Sequence, residues 1–181
     1  MKWVTRELPH IDRVASPWLI TRFVDREAEF TFISWAETRW PKDAIPLALP
    51  GADLGPHDAS GTTFDKILRN YALRDPALHQ IATVVRKAVD HVLHGYRPHA
   101  DDVPGQIAVG ISAIAEGSLL HSSRDADILA ASYPMYDALY ANFRAQALVR
   151  ERGLAVPASK GRGPRARVDF LRGLLASTRG A

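Results

Sequence analysis

The segments with strand-like sequence all lie in the first 55 residues of the chain. Residues 2–5 and 28–33 are rich in β-branched and aromatic residues, and residues 45–49 contain a proline, which places that strand at a sheet edge. A single helical segment lies among them, and the later periodic segments all have the apolar spacing of helices. This order is unlike alternating βαβ units. It predicts an α+β fold in which a small N-terminal β-sheet packs with a mainly helical C-terminal portion.

Capping residues and prolines predict where helices begin and end. Ser16 and Pro17 predict the start of the first helix, because serine caps a helix and proline fits its first position. Residues 103–115 carry no charged side chain, so we expect a helix that is buried on most sides. Pro134 predicts a break or restart in the helix of residues 123–150. Two further helix starts have clear signals: Thr62 or Thr63, and Asp75–Pro76.

The composition excludes several classes of protein. With 46% apolar residues in 181, the chain has side chains for one core without metal or disulfide staples. It contains no cysteine, which rules out disulfides, thiolate nucleophiles and cysteine-ligated zinc. No uninterrupted apolar run approaches the roughly 18 residues of a bilayer span, and the N-terminus has no apolar signal-peptide core. We therefore expect a cytoplasmic protein without membrane contact.

The basic charge is concentrated in a C-terminal segment. Residues 154–181 hold six basic residues and one acidic residue, so this segment carries +5 while residues 1–153 carry −2. We therefore divide the chain into a domain of residues 1–153 and a basic linker with an amphipathic helix over residues 154–181. Such a segment can contact nucleic acid or an acidic partner in a regulatory module. The alternatives are a solvated tail, a packing arm, or a helix that packs across a homodimer.

His10, Asp12 and Arg13 lie between the first predicted strand and the first predicted helix. In an extended backbone, His10 and Asp12 point to the same side because side chains alternate. An imidazole and a carboxylate in this arrangement share a divalent metal, or act as a base and its orienting partner, and Arg13 near a helix N-terminus holds an oxyanion. The alternative is a His–Asp hydrogen bond that fixes the loop, with Arg13 on the surface.

Asp53 and His57 repeat this layout, because they follow the third predicted strand and precede a helix start. We expect the two histidine-bearing loops to converge at one end of the sheet. There, His10, His57 and a carboxylate from Asp53 or Asp12 form a ligand set for zinc, manganese or iron(II). The alternative for His57 alone is an ordinary turn residue.

Asp90 and His94 lie four residues apart on a predicted helix and therefore share one of its faces. This spacing suits two metal ligands, and Asp90 is included among the candidate ligands. His94 is assigned to the solvated side of the helix, because that side is polar along its length.

Aromatic residues recur at helical spacing near the end of the predicted domain, at Tyr133, Tyr136 and Tyr140. Such a stripe is more typical of a core than of a cofactor site, although Asp137 between the tyrosines also suits the lining of a pocket. The chain contains no phosphate-binding loop, no dinucleotide-binding glycine fingerprint and no nucleophile-elbow serine.

The opening block of the chain resembles the ChrB-type chromate-resistance protein family, in the domain that forms the C-terminal half of its longer members. The matching segments are WVTR at 3–6, PHIDRVASPWLI at 9–20, RF at 22–23, AEFTF at 28–32, PGADLG at 50–55, His57, TFD at 63–65, DPAL at 75–78 and YDALYA at 136–141. The resemblance covers about residues 2–145 and leaves the basic segment outside.

The resemblance implies a role in chromate resistance, through metal or oxyanion binding or as a chromate-responsive regulator. His10, Asp12, Arg13, Asp53 and His57 match the family pattern. The family commonly has cysteine at the two positions occupied here by a serine and a threonine, Ser16 and Thr62, so thiol-based reduction is unavailable to this chain. The expected function is binding of a divalent metal and a small anion, with Arg13 and Asp12 as reactive groups if turnover occurs. Whether the chain is an enzyme stays open at this point.

Overall fold

The computed structural model describes residues 1–159 and 164–178. Within these residues, three strands and six helices follow one another. Their bounds are β1 Lys2–Arg6, α1 Asp12–Phe23, β2 Glu29–Ile33, β3 Ile45–Pro46, α2 Thr63–Asn70, α3 Pro76–His94, α4 Val103–His121, α5 Asp125–Glu151 and α6 Arg165–Ala176. The predicted α+β class is confirmed.

The sheet has three parallel strands in the order β2-β1-β3. β1 is central, and Trp3 pairs with Phe30 of β2 on one side and with Ile45 of β3 on the other. β3, which contains Pro46, lies at an edge of the sheet, so the predicted edge position is confirmed. Proline suits an edge strand because it has no N–H to donate to a further strand. The three parallel strands end on the same side of the sheet, where the loops after β1 and β3 begin.

The first helix begins earlier than the sequence predicts. It starts at Asp12 instead of Ser16, and Pro17 lies in its interior. Ile11, with φ 46°, turns the chain sharply before the helix, so the backbone between His10 and Asp12 is not extended as predicted. The turn is closed by the amide of Ala15, which donates to the Ile11 carbonyl at 2.8 Å. Because of this turn, the alternation of an extended strand does not apply to His10 and Asp12.

Two further helices differ from the sequence prediction. α5 continues through Pro134 without a break, since tertiary packing holds residues on both sides of the proline in one helix. α4 is not buried on most sides. It packs small residues such as Ala108 and Ser112 against its neighbours, while Ile114 and Leu120 are exposed, the latter to 85%. By length and composition alone α4 would suffice to cross a bilayer, so the absence of membrane contact stays a prediction.

Trp18 lies at the centre of the core, on the buried face of α1. Its ring stacks on Phe64 of α2 at 6.5 Å between centroids and contacts Tyr136 of α5 at 5.6 Å. Pairs of this geometry stabilise a core beyond the area they bury. Trp18 thereby fixes α1 and α2 relative to each other, and with them the two loops that carry His10 and His57.

The basic C-terminal segment is described in part. α6 forms as predicted and packs on α5, with Leu174 buried in the contact. Arg165 and Arg167 are exposed on it. The predicted linker of residues 157–163 and the basic residues Lys160, Arg162 and Arg179 lie wholly or partly outside the described residues. A contact of this segment with nucleic acid, and its role as a separate unit, stay predictions.

Candidate functional site

The loops after β1 and β3 meet at one cleft of about 220 Å³. His10 and Arg13 line it from the first loop and α1, His57 lines it from the second loop, and Val89 and Leu93 of α3 form an apolar wall. The structure therefore places the two histidine-bearing loops at a shared cavity. A larger cleft, of about 600 Å³, continues past His10 and Arg13 toward α4.

A group of potential metal ligands lies at the α3 side of this cleft. His57, Asp90 and His94 each offer one ligand atom, and these atoms all lie within 4.8 Å of one another. His57 Nε2 is 4.0 Å from Asp90 Oδ1. His57 Nδ1 is buried and has no hydrogen-bond partner among the described residues. Of the two ring nitrogens, Nε2 is therefore the one that faces Asp90, and a neutral imidazole binds a metal ion through one such nitrogen.

The loop that carries His57 is held in place by Lys66 of α2. The buried Lys66 ammonium donates to the carbonyl oxygens of Gly55 at 3.2 Å and Pro56 at 2.7 Å, and to the Asp58 carboxylate at 2.6 Å. The hydrogen bond from Lys66 holds the pKa of Asp58 well below its usual range. Both neighbours of His57 in the chain are therefore fixed, which restricts where its ring can lie.

Asp12 occupies a structural position at the N-terminus of α2. Its buried carboxylate accepts hydrogen bonds from the backbone amides of Thr63 at 2.8 Å and Phe64 at 3.1 Å, and from the Ser16 hydroxyl at 3.0 Å. Burial raises the pKa of Asp12, and the backbone hydrogen bonds partly offset this rise. Thr62 caps the same helix. Ser16 and Thr62, the two positions at which the resemblance implies cysteine in relatives, therefore lie on either side of the N-terminus of α2, Ser16 bonded to Asp12 and Thr62 to Asp65.

Arg13 and Trp35 form the cationic side of the cleft. The guanidinium carbon of Arg13 lies 4.4 Å from the centroid of the Trp35 ring, and that of Arg6 lies 5.8 Å from it. Arg13 Nε is buried and has no hydrogen-bond partner among the described residues. Trp35 is 56% exposed, so it covers the guanidinium from the solvent side. The arrangement presents a desolvated cation with an unused donor next to His10, which suits an anion.

We predict that His10 is neutral at pH 7. Burial, followed by the nearby charge of Arg13, lowers the pKa of His10 from its ordinary 6.5. As the pH falls below 6.5 the unfolded chain takes up a proton before the folded one, so His10 contributes stability that is lost on acidification. NMR titration of the histidine ring protons measures this pKa. Arg13→Gln should raise it toward 6.5, whereas Arg69→Gln, on the exposed end of α2, should not.

The remaining candidates are placed differently. Asp53 is exposed and does not belong to the group within 4.8 Å, and neither does His10. His94, which the sequence assigns to the solvated side of its helix, is exposed yet lies beside His57, with 6.0 Å between the ring centroids. The four-residue spacing of Asp90 and His94 was the signal for this pair. What the spacing does not reveal is that the His57 loop faces that side of α3.

Comparisons with known proteins identify the family of the chain. Residues 3–143 match the family model described as ChrB, C-terminal domain. The chain is similar to "Protein ChrB" of Cupriavidus metallidurans (strain CH34), with 29% identity over 144 residues that make up 78% of this chain and 40% of that protein. It thus spans about two fifths of that relative's length. No solved structure matches the chain. Since the match covers most of the chain, the protein belongs to the ChrB C-terminal domain family, the chromate-resistance family that its opening block resembles.

Proposed function

We propose that this domain binds one divalent metal ion through His57, Asp90 and His94, and holds a small oxyanion next to it. The observation that carries the proposal is the convergence of three ligand groups from two separate elements within 4.8 Å of one another. Two imidazoles and one carboxylate are a ligand set for zinc, manganese or iron(II). This set shares His57 with the predicted set of His10, His57 and Asp53 or Asp12. His94 takes the place of His10, and the carboxylate comes from Asp90, which the sequence offers as a separate candidate ligand.

The cleft supports an anion beside the metal. Of the metal group, His57 lines the same 220 Å³ space as Arg13, so an anion in that space has the proposed metal ligand and the guanidinium in its walls. Three protein ligands leave coordination positions free, and an oxyanion is a suitable ligand for them. When bound, the metal supplies a Lewis acid, while Arg13 neutralises and orients the anion. Asp12 takes no direct part, because its oxygens are occupied by α2 and Ser16.

Membership of the family supports chromate, or an oxyanion of the same shape and charge, as the ligand. The volume of the cleft suits a small tetrahedral anion. Thiol-based reduction is excluded by the lack of cysteine. We therefore propose a role in binding such an anion in a chromate or stress response.

Metal titration of the chelator-treated full-length chain tests the proposal. We expect one cobalt(II) or zinc ion per chain in isothermal titration calorimetry. Asp90→Asn should weaken binding by at least about tenfold, because it removes the negatively charged ligand. Asp101→Asn, on the exposed connector between α3 and α4, is the matched control and should bind as the wild type does. Equal affinities in all three proteins would refute the metal site.

A further inference from the structure

A second cleft, of about 580 Å³, opens between α1, α5 and α6. None of the metal-group residues is among its described lining. Its volume is in the range of sites for small organic molecules and exceeds what an inorganic oxyanion requires. This cleft therefore suits a different ligand from the one proposed for the site at the ends of the strands.

The apolar part of the cleft is aromatic. Trp18, Phe23 and Tyr140 line it. The Phe23 and Tyr140 rings meet edge to face at 5.1 Å, and Trp18 meets Phe23 in the same way at 5.7 Å. Rings locked against one another form a rigid apolar surface with a defined shape. A planar ring packs on such a surface with little loss of side-chain entropy.

The polar part of the cleft is cationic, with Arg22, Arg26 and Arg144 in its lining. Arg22 is occupied, because its Nε and Nη2 donate to Asp137 at 2.9 and 2.8 Å. Arg26 forms no hydrogen bond or ion pair through its side chain within residues 1–159 and 164–178. The three arginines of the lining thus carry more positive charge than Asp137, the acidic residue of the lining, neutralises.

Arg144 is held only loosely by its acidic neighbour. Its Nη1 lies 3.7 Å from Asp75 Oδ2, beyond hydrogen-bond distance. That oxygen instead accepts the Tyr140 hydroxyl at 2.6 Å, and the other Asp75 oxygen accepts the Ala77 amide. The carboxylate is therefore engaged elsewhere. Arg144 is left with donors for a ligand, as is Arg26.

We propose that this cleft binds a planar aromatic anion, a ring that bears a carboxylate or phosphate. The ring lies against Phe23 and Tyr140, and the anionic group contacts Arg26 and Arg144. Asp137 has a role in the lining, since it fixes Arg22 and the Trp18 indole N–H, which donates to it at 2.8 Å. The proposal is independent of the metal site, because it uses none of the metal-binding residues.

Calorimetric titration with three matched probes tests the ligand class. We expect 2-naphthoate to bind the full-length chain with a Kd below about 1 mM, as a ligand of that size permits. 2-Naphthol, which has the ring without the charge, and inorganic phosphate, which has the charge without the ring, should each bind at least about tenfold more weakly. Equal binding of 2-naphthol and 2-naphthoate, or no binding of 2-naphthoate, would overturn the proposal.

Arginine variants test the location. Arg26→Gln should weaken 2-naphthoate binding about tenfold, because a charge-assisted contact is lost. Arg26→Lys keeps the charge and should stay within about threefold of the wild type. Arg69→Gln is the exposed control on α2 and should bind as the wild type does. A wild-type Kd for Arg26→Gln would overturn the proposed site.

Discussion

His57→Ala is expected to lower the affinity of the domain for zinc or cobalt(II) by at least about 100-fold. His57 is the member of the metal group that comes from the loop after β3, while Asp90 and His94 both come from α3. Its removal leaves two ligands on one helix face, which bind a divalent ion weakly. The affinity is measured by competition with a chromophoric chelator at fixed pH.

The same substitution should leave the metal-free protein as stable as the wild type. His57 Nδ1 makes no hydrogen bond among the described residues, and its Nε2 lies 4.0 Å from Asp90, so alanine breaks no bond. Urea unfolding in the presence of chelator tests this, with a change within about 0.5 kcal/mol expected. His121→Ala, at the exposed end of α4, is the control for loss of an imidazole. A wild-type metal affinity of His57→Ala would contradict the assignment.

The local signals in the sequence predicted most of the elements. β-Branched and aromatic residues identified the strands. Thr62 or Thr63 and Asp75 were the predicted starts of α2 and α3, and in the structure the side chains of Thr62 and Asp75 each accept a backbone hydrogen bond there. Pro17 and Pro134 led to wrong predictions, because prolines at such positions are typical of a first helical turn or of a break. In α1 and α5 packing against the core outweighs the single hydrogen bond that proline removes. This packing energy comes from contacts with distant parts of the chain, so the local sequence around each proline does not reveal it.

The candidate site was only partly predictable, again because contacts between distant parts of the chain decide which residues meet. The repeated strand, histidine loop and helix pattern predicted that His10 and His57 share one cleft. The structure gives the physical reason, since β1 and β3 are parallel and end on the same side of the sheet. The sequence does not reveal which carboxylate joins them. Asp12 has the spacing of a ligand, but its carboxylate accepts the amides at the N-terminus of α2. Asp90 approaches His57 because the C-terminal part of α3 lines the same cleft as the His57 loop.

Asp12→Ala is expected to destabilise the protein by about 3 kcal/mol or more. The substitution leaves two buried backbone amides at the start of α2 without an acceptor, those of Thr63 and Phe64, and removes the partner of the Ser16 hydroxyl. Each buried donor without a partner costs about 1–3 kcal/mol. Asp12 is only 8% exposed, so water does not replace the lost acceptor. Urea unfolding followed by circular dichroism measures the loss.

Two further variants separate this helix-anchoring role from a general effect of charge. Asp53→Ala removes an exposed carboxylate that makes no hydrogen bond within the described residues, so its unfolding free energy should stay within about 0.5 kcal/mol of the wild type. Asp12→Asn keeps one oxygen for the α2 amides and should fall between the wild type and Asp12→Ala. Because α2 also carries Lys66, which fixes the His57 loop, we expect Asp12→Ala to weaken metal binding as well. Stability and metal affinity of Asp12→Ala both equal to the wild type would show that the carboxylate does not anchor α2.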